Sequence, residues 1–269
     1  IWFFERQGVQ MSNVVVLKLS GETLGSSGQG FESGKIEQVV REIFVLHEAC
    51  RGKNDGGIVI VVGGGNIARF SDLKAKLPDI HPIILHQIGM LATVMNTMAI
   101  SSLLNHYLVL KGRRDRSIVV STVPIAGMVD GWDVTEAKEW LRSKDGGILF
   151  VAGGTGFPGI ATTDTAAVMV AVQLGAKLVL KGTKVDGIYS SDPSTNPSVK
   201  MFENITATQF LTNKFDGILD PVAVAMARKE KIEIRVFRFT PLPEEPRYCS
   251  RVIKAVTFEE EIGTLVIPE

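Results

Sequence analysis

A lysine, an arginine and an aspartate, each beside small or glycine-rich turns, are the residues of this chain best placed for chemistry. Lys18 stands near the end of the apolar run "VVVLKLSGE". An ammonium group there can neutralise charge on a transferring phosphoryl group. Gly21 would bring backbone N–H groups close to the same anion. A lysine that only snorkels from a strand end is the alternative. In "IVIVVGGGNIARF", residues 58–70, an apolar run passes straight into glycines. Such glycines let an anion approach the backbone, and a helix starting at about Asn66 would add free N–H groups and a positive dipole end. Arg69 supplies a forked phosphate donor. A tight strand-to-helix turn with a solvated arginine fits the same residues. Asp164, in "TTDTAA", precedes a run of helix formers. It caps that helix, or it holds Lys18 or helps to orient metal-bound phosphates, and these readings are compatible. In "TKVDGIYSSDP", residues 183–193, Asp186-Gly187 and Asp192-Pro193 are turn formers, with a hairpin as one reading of the first pair. Tyr189 offers a flat face for stacking a base.

Other familiar sites are missing from the sequence. There is no G-x-x-x-x-G-K-[ST], no G-x-G-x-x-G at the first strand, no H-E-x-x-H and no G-x-S-x-G. The histidines, His47, His81, His86 and His106, show no metal-ligand spacing, and "HEAC", residues 47–50, reads as helix packing. No metal site is assigned to protein ligands.

The elements that must carry these residues alternate between strand-like and helical patterns. "NVVVLKLS", "GGIVIVV", "YLVLKG", "SIVVSTV", "GGILFVAGG", "KLVLKG", "IEIRVFRF" and "GTLVIP" read as strands. "KIEQVVREIFVLHEACR", "VTEAKEWLRSK" with Thr135 as cap, "DTAAVMVAVQLG" ending at Gly175, "TATQFLTNK" and "DPVAVAMARKEK" read as helices. "HPIIL" is a short apolar run before a long helix, and "FTPLPEEPRYCS" reads as a surface loop. Apolar strands separated by helices imply an α/β fold with a mainly parallel sheet covered on both faces. "KLSGE", "VGGGN", "AGGTGFPG" and "KGTKVDG" then all fall at strand ends and line one polar cleft.

The 269 residues are 45% hydrophobic, with 29 basic and 29 acidic side chains. That is enough for one large domain or two intimate lobes, and the balanced charge leaves no basic field for nucleic acid. Two cysteines, Cys50 and Cys249, make no disulfide framework and point to a reducing cytoplasm. Residues 1–10 read as an extension outside the fold. Residues 88–110 contain no Asp, Glu, Lys or Arg and are long enough to cross a bilayer. Asn96, Ser101, Ser102, Asn105 and His106 interrupt them, so a buried helix at a subunit interface is expected, with no membrane contact.

Taken together, "LKLSGE", "GGGNIAR", "GMLATVMN", "AGGTG…TTD", "KVDGIYSSDP", Leu219-Asp220, "IRVF" and the terminal "GTLV" closely resemble the bacterial-type uridylate (UMP) kinases of the amino-acid kinase superfamily. The resemblance spans nearly all of residues 14–267, in the family's order. It implies a three-layer α/β/α sandwich, with residues 11–175 as acceptor lobe and 176–269 as ATP lobe. It implies transfer of the ATP γ-phosphate to UMP with Mg²⁺. Lys18, Arg69 and Asp164 would be catalytic. Lys18, Leu19, Ser20, Gly21, Gly65, Arg69, Thr183, Tyr189 and Asp192 would meet ATP. Gly64, His86, Thr155, Gly156, Thr162 and Thr163 would meet UMP. The loop from Gly25 to Phe31 overlaps a GTP effector site, with UTP as a second effector, and the long apolar helix would build a homohexamer. Two positions depart from the family pattern. His86 stands where an aspartate contacts the acceptor ribose, and Phe157 replaces an asparagine in a loop one residue longer. The effector loop is also lengthened. A same-fold kinase with another nucleoside monophosphate or a small acid as acceptor stays open, as does a non-catalytic nucleotide-binding or storage relative.

Overall fold

The computed structural model describes residues 5–6, 9–10, 14–50, 56–143, 146–159, 161–191, 196, 198–213, 215, 217–239, 251–257 and 262–269. The chain opens with a small antiparallel pair, β1 (Glu5–Arg6) and β2 (Val9–Gln10). The main fold then runs β3 (Val14–Leu19), α1 (Ser33–Cys50), β4 (Gly57–Val62), α2 (Phe70–Lys76), α3 (Pro82–Leu110), β5 (Ser117–Ser121) and β6 (Asp130–Gly131). It continues α4 (Val134–Arg142), β7 (Ile148–Ala152), α5 (Thr163–Leu174), β8 (Leu178–Thr183), β9 (Asn204–Thr206) and α6 (Ala207–Asn213). It closes with α7 (Pro221–Glu230), β10 (Glu233–Arg238), α8 (Arg251–Thr257) and β11 (Thr264–Ile267).

Nine strands form one sheet in the order β6-β5-β7-β4-β3-β8-β10-β11-β9. All neighbours pair in parallel except β10 with β11. The fully apolar strands are explained by cover on both faces. Successive strand side chains point to opposite faces. Val16, Val59, Val61 and Val179 therefore pack with α4, α5, α6 and α7 on one face. Val15, Leu17, Leu19, Ile58, Ile60 and Leu180 pack with α1, α3 and α8 on the other.

Several local expectations are corrected. No helix starts at Asn66: a single turn follows the glycines, with Ile67 and Ala68 N–H both donating to the Gly64 carbonyl, and α2 begins at Phe70. "HPIIL" is the first turn of α3, with His81 at the N-cap position accepting from Ile83 N–H and Pro82 at N1. "YLVLKG" is no strand but the last turns of α3. Ile100, Leu104 and Leu108 recur every four residues in the core, and Tyr107 packs edge-on to Phe44 at 5.2 Å. The cap of α4 is Asp133, whose carboxylate accepts from Thr135 and Glu136 N–H, rather than Thr135. Gly175 closes α5 in the left-handed region, as expected.

By length and composition α3 could cross a membrane. Here it packs against α1, α2, β4, β5 and β7. Its outward side leaves Ile83, Ile84, Leu91, Met95, Val109 and Leu110 exposed.

Candidate phosphoryl-transfer site

Residue parity along β3 and β8 builds the centre of the site. Lys18 shares its face with Val16, and Lys181 shares its face with Val179. The two lysines are paired across the parallel ladder, on the face covered by α5. The first turn of α5 brings Asp164 between them. Lys18 Nζ lies 2.8 Å from Asp164 Oδ1, and Lys181 Nζ binds Asp164 Oδ2 and the Ile218 carbonyl. All three side chains are nearly buried, at 10% exposure or less. Burial by itself would raise the Asp164 carboxyl, but the charges of Lys18 and Lys181 outweigh it and hold the group far below the usual carboxylate range. Burial and the Lys18 charge push Lys181 down to about 8, against the pull of Asp164.

The helix cap at this point is Thr162, whose hydroxyl accepts from Asp164 N–H at 3.2 Å. Asp164 is thus released from capping and serves the lysines. Asp220 braces the arrangement. It accepts from Thr162 N–H at 3.0 Å, Thr162 Oγ1 at 2.9 Å and Thr165 Oγ1 at 2.8 Å, and it caps α7 through Val222 N–H at 2.9 Å. Its own N–H donates to Asp164 Oδ2 at 3.2 Å.

The glycine turn after β4 forms the facing wall. A Cβ on Gly64 would stand 2.7 Å from the Gly89 carbonyl oxygen and 2.9 Å from Ala92 Cβ, so only glycine lets the turn lie against α3. Asn66 is fully buried. Its amide donates to the Gly30 carbonyl at 3.0 Å and to Asn96 Oδ1 at 3.1 Å, while Asn96 donates to the Gly63 carbonyl at 2.7 Å. Among the described residues the N–H groups of Gly64, Gly65 and Asn66 carry no hydrogen bond, and successive N–H groups of this kind form an anion nest. Arg69 and Lys184 both ion-pair with the nearly buried Glu22. Ser27 ties the preceding loop to the same wall, donating to Asp72 Oδ2 at 2.7 Å.

Two cavities open on this centre. One, of about 350 Å³, lies between the glycine turn, α3 and the loop at 154–163. The other, of about 670 Å³, lies between Glu22, the end of β8 and the start of α7. Lys18, Ser20, Arg69, Thr162 and Thr163 line both. A group bound in one cavity therefore meets a group bound in the other at Lys18.

Of the residues expected at an acceptor, Gly64, His86, Thr155, Thr162 and Thr163 line the smaller cavity. Gly156 does not; it borders a neighbouring apolar pocket with Met90 and Leu91. Of those expected at a donor, Lys18, Ser20, Arg69 and Thr183 line the larger cavity. Gly21 and Gly65 line the smaller one instead. Leu19 has the opposite parity to Lys18, so its side chain is fully buried in the core beneath α1. Tyr189 lines neither cavity and pairs its backbone with Met201. Asp186 makes no hairpin; it binds Arg238 through both carboxylate oxygens, at 2.8 and 3.2 Å. Asp192 lies outside the described residues, as does Cys249, while Cys50 is buried.

Sequence reasoning assigns no role to Lys181, Glu22 or Lys184, and knows Asp220 only as part of a motif. For Lys181 a signal existed: "KLVLKG" sets a lysine near the end of an apolar strand just as "VVVLKLSG" does. Among the described residues, His47, Glu48 and Asp115 also offer ligand atoms within 4.8 Å of one another, a group able to hold a divalent cation. His47 meets Asp115 at 3.3 Å and Glu48 pairs with Arg113. These residues line neither cavity, and Asp115 stands too far along the chain from the adjacent His47 and Glu48 for any spacing motif.

Residues 13–238 match the model of the amino acid kinase family. A uridylate kinase from Pseudoalteromonas atlantica is 35% identical over 256 residues, covering 94% of this chain and 92% of the relative. The crystal structure of a UMP kinase from Bacillus anthracis superposes with a TM-score of 0.79 at 26% identity, over 96% of both chains. That of a UMP kinase from Ureaplasma parvum gives 0.78 at 27% identity, over 94% of this chain and 98% of the other.

Proposed function

The chain belongs to the amino acid kinase family, on its uridylate kinase branch, and from that footing we propose that it transfers the γ-phosphoryl group of ATP to the phosphate of UMP, giving ADP and UDP. The observation that carries the reading is the pair of cavities meeting at Lys18, with Asp164 and Lys181 behind it. The larger cavity takes ATP and the smaller takes UMP. The bond from the γ-phosphorus to the bridging oxygen of ADP breaks as a UMP phosphate oxygen bonds to that phosphorus. Charge spreads over the equatorial oxygens in such a transfer. Lys18 and Arg69 are the cations placed to meet it from both sides, with the N–H groups of Gly64 and Gly65 facing the acceptor phosphate. Asp164 is no general base. Its oxygens are held by two lysines, which keeps it ionised, and an acceptor phosphate with a second pKa near 6 is already largely ionised at neutral pH. Asp164 positions Lys18 instead.

Lys18, Arg69, Lys181 and Lys184 surround the larger cavity; of its three carboxylates, Glu22 and Asp164 are ion-paired and Asp220 is held by threonine hydroxyls and backbone N–H groups. With its carboxylates so engaged, this donor set fits Mg²⁺ carried mainly on the nucleotide's own phosphates. Bound there, the ion would neutralise charge on the β- and γ-phosphates.

The exposed apolar side of α3 supports a homo-oligomer, and the family reading makes it a hexamer. The same reading gives a cytoplasmic enzyme, GTP and UTP as effectors near the loop at 25–31, and a division between acceptor and ATP lobes near residue 175. The test is ADP release by the full chain with ATP, Mg²⁺ and each of UMP, CMP, AMP and GMP. Turnover strongest with UMP is expected; turnover confined to another acceptor, or none, refutes the reading.

A further inference from the structure

The smaller cavity holds a nucleoside monophosphate by its phosphate and has little built to read the sugar. Among the described residues its lining contains no Asp, Glu, Asn or Gln side chain. Its cations, Lys18 and Arg69, sit at the junction with the other cavity, as do Ser20 and Thr163. The remaining hydroxyls are occupied. Thr93 Oγ1 donates to the Met90 carbonyl at 2.6 Å and accepts from Gly153 N–H at 2.8 Å. Thr155 Oγ1 donates to the Phe157 carbonyl at 3.1 Å and accepts from Phe157 N–H at 3.3 Å. Thr162 Oγ1 donates to Asp220 and accepts from Asp164 N–H. Each has spent its single proton inside the protein.

That leaves His86. Its ring is stacked on Phe70, with centroids 4.1 Å apart and planes 12° from parallel. Gly159, at φ +81°, passes the ring edge; even a built Cβ would stand 3.7 Å from Nε2. The ring is therefore held as a flat wall, and the residue is half-buried. Phe157, at 66% exposure, adds an aromatic face at the same mouth.

Strong rejection of an analogue that lacks one hydroxyl arises when a buried protein group is left unpaired by the loss. Sites built that way discriminate by about 10⁴–10⁵, whereas apolar or water-accessible walls give about 10² or less. Here the absence of a sugar 2′-hydroxyl strands no buried group. Resting on the nucleoside monophosphate reading above, we infer that this chain also phosphorylates 2′-deoxyribonucleoside monophosphates, with dUMP as substrate beside UMP. The reaction balances as before: the γ-phosphorus leaves ADP and bonds to a dUMP phosphate oxygen, giving dUDP. The Phe70–His86 plate and Phe157 confine the sugar and base by shape rather than by hydroxyl recognition.

The test compares kcat/KM for UMP and dUMP on the full chain with ATP and Mg²⁺, and the calorimetric Kd of each without ATP. A UMP preference below about a hundredfold is expected. His86→Asp, which installs an acceptor for two hydroxyls, should raise that preference at least about tenfold. Good turnover of UMP with a wild-type preference above a hundredfold overturns the inference and leaves the UMP kinase reading standing. Turnover of neither nucleotide refutes both readings, whatever the two Kd values.

Discussion

Replacing Asp164 by asparagine keeps the shape of the side chain and removes only its charge. Two ammonium groups then face each other in a nearly buried pocket without their shared anion. Removing one partner of a buried ion pair typically costs about 3–5 kcal/mol. Part of that cost has a separate route. Lys181 can relieve the repulsion by releasing its proton, which at pH 7, about one unit below its value of about 8 in the parent, costs about 1.4 kcal/mol. The pH dependence then separates electrostatics from packing. Lys181 already titrates at about 8 in the parent protein, and in the variant its folded pKa falls further below the unfolded value. Over that interval the unfolded chain binds more protons than the folded one, so the variant's stability rises with pH. Above about pH 8 the parent has lost the same proton, so the deficit stops changing. Urea unfolding followed by tryptophan fluorescence should show a deficit of about 3–5 kcal/mol at pH 7, narrowing by at least about 1 kcal/mol by pH 9. A deficit below about 1 kcal/mol at pH 7, or one that stays constant or widens as pH rises, would refute the charge argument.

Other outcomes follow from the same contacts. Lys18→Ala leaves Asp164 paired with Lys181, so the variant should stay folded while kcat falls by about 10²–10³ or more; near-normal turnover in a steady-state assay would remove Lys18 from the chemistry. Asp220→Ala strands two threonine hydroxyls and uncaps α7, so unfolding titrations should register a loss of about 1–3 kcal/mol. Gly64→Ala forces a Cβ against the Gly89 carbonyl and Ala92. Overpacking of this kind costs about 1–3 kcal/mol, and because the strain falls on the acceptor wall, KM for UMP should rise while KM for ATP changes less. Equal rises in both would mean that the turn serves the whole site.

The layers of the fold are legible because apolar strands and amphipathic helices differ in period, and most elements fall where that difference places them. The failures are local and have physical causes. "YLVLKG" is rich enough in β-branched and aromatic residues to read as a strand, but it continues the four-residue core repeat of Ile100 and Leu104, and packing on Phe44 holds it helical. The helix expected at Asn66 is displaced because the Asn66 amide is consumed by Gly30 and Asn96, partners distant in sequence. Within the site, Lys18, Arg69 and Asp164 announce themselves beside their glycine and threonine turns. Lys181 and Glu22 do not, because their meaning lies in what faces them across the sheet or the cleft. Parity recovers part of it: once β3 and β8 are neighbours, the alternation of each strand puts both lysines on the α5 face and sends Leu19 to the other.

That neighbourhood of β3 and β8 also bears on how the molecule forms. More than half of the chain separates Lys18 from Lys181, yet the two are register partners in the middle of the sheet. Contacts so distant in sequence are closed late and slowly, because the loop between them loses its entropy before the pairing returns anything. The lysine–aspartate centre therefore cannot exist in a chain whose β3 has paired only with β4. Nascent protein is inert until β8 arrives, and after dilution from denaturant ATP binding should recover with the slowest refolding phase. Recovery of ATP binding ahead of that phase would show that β3 and β8 meet earlier than their separation implies.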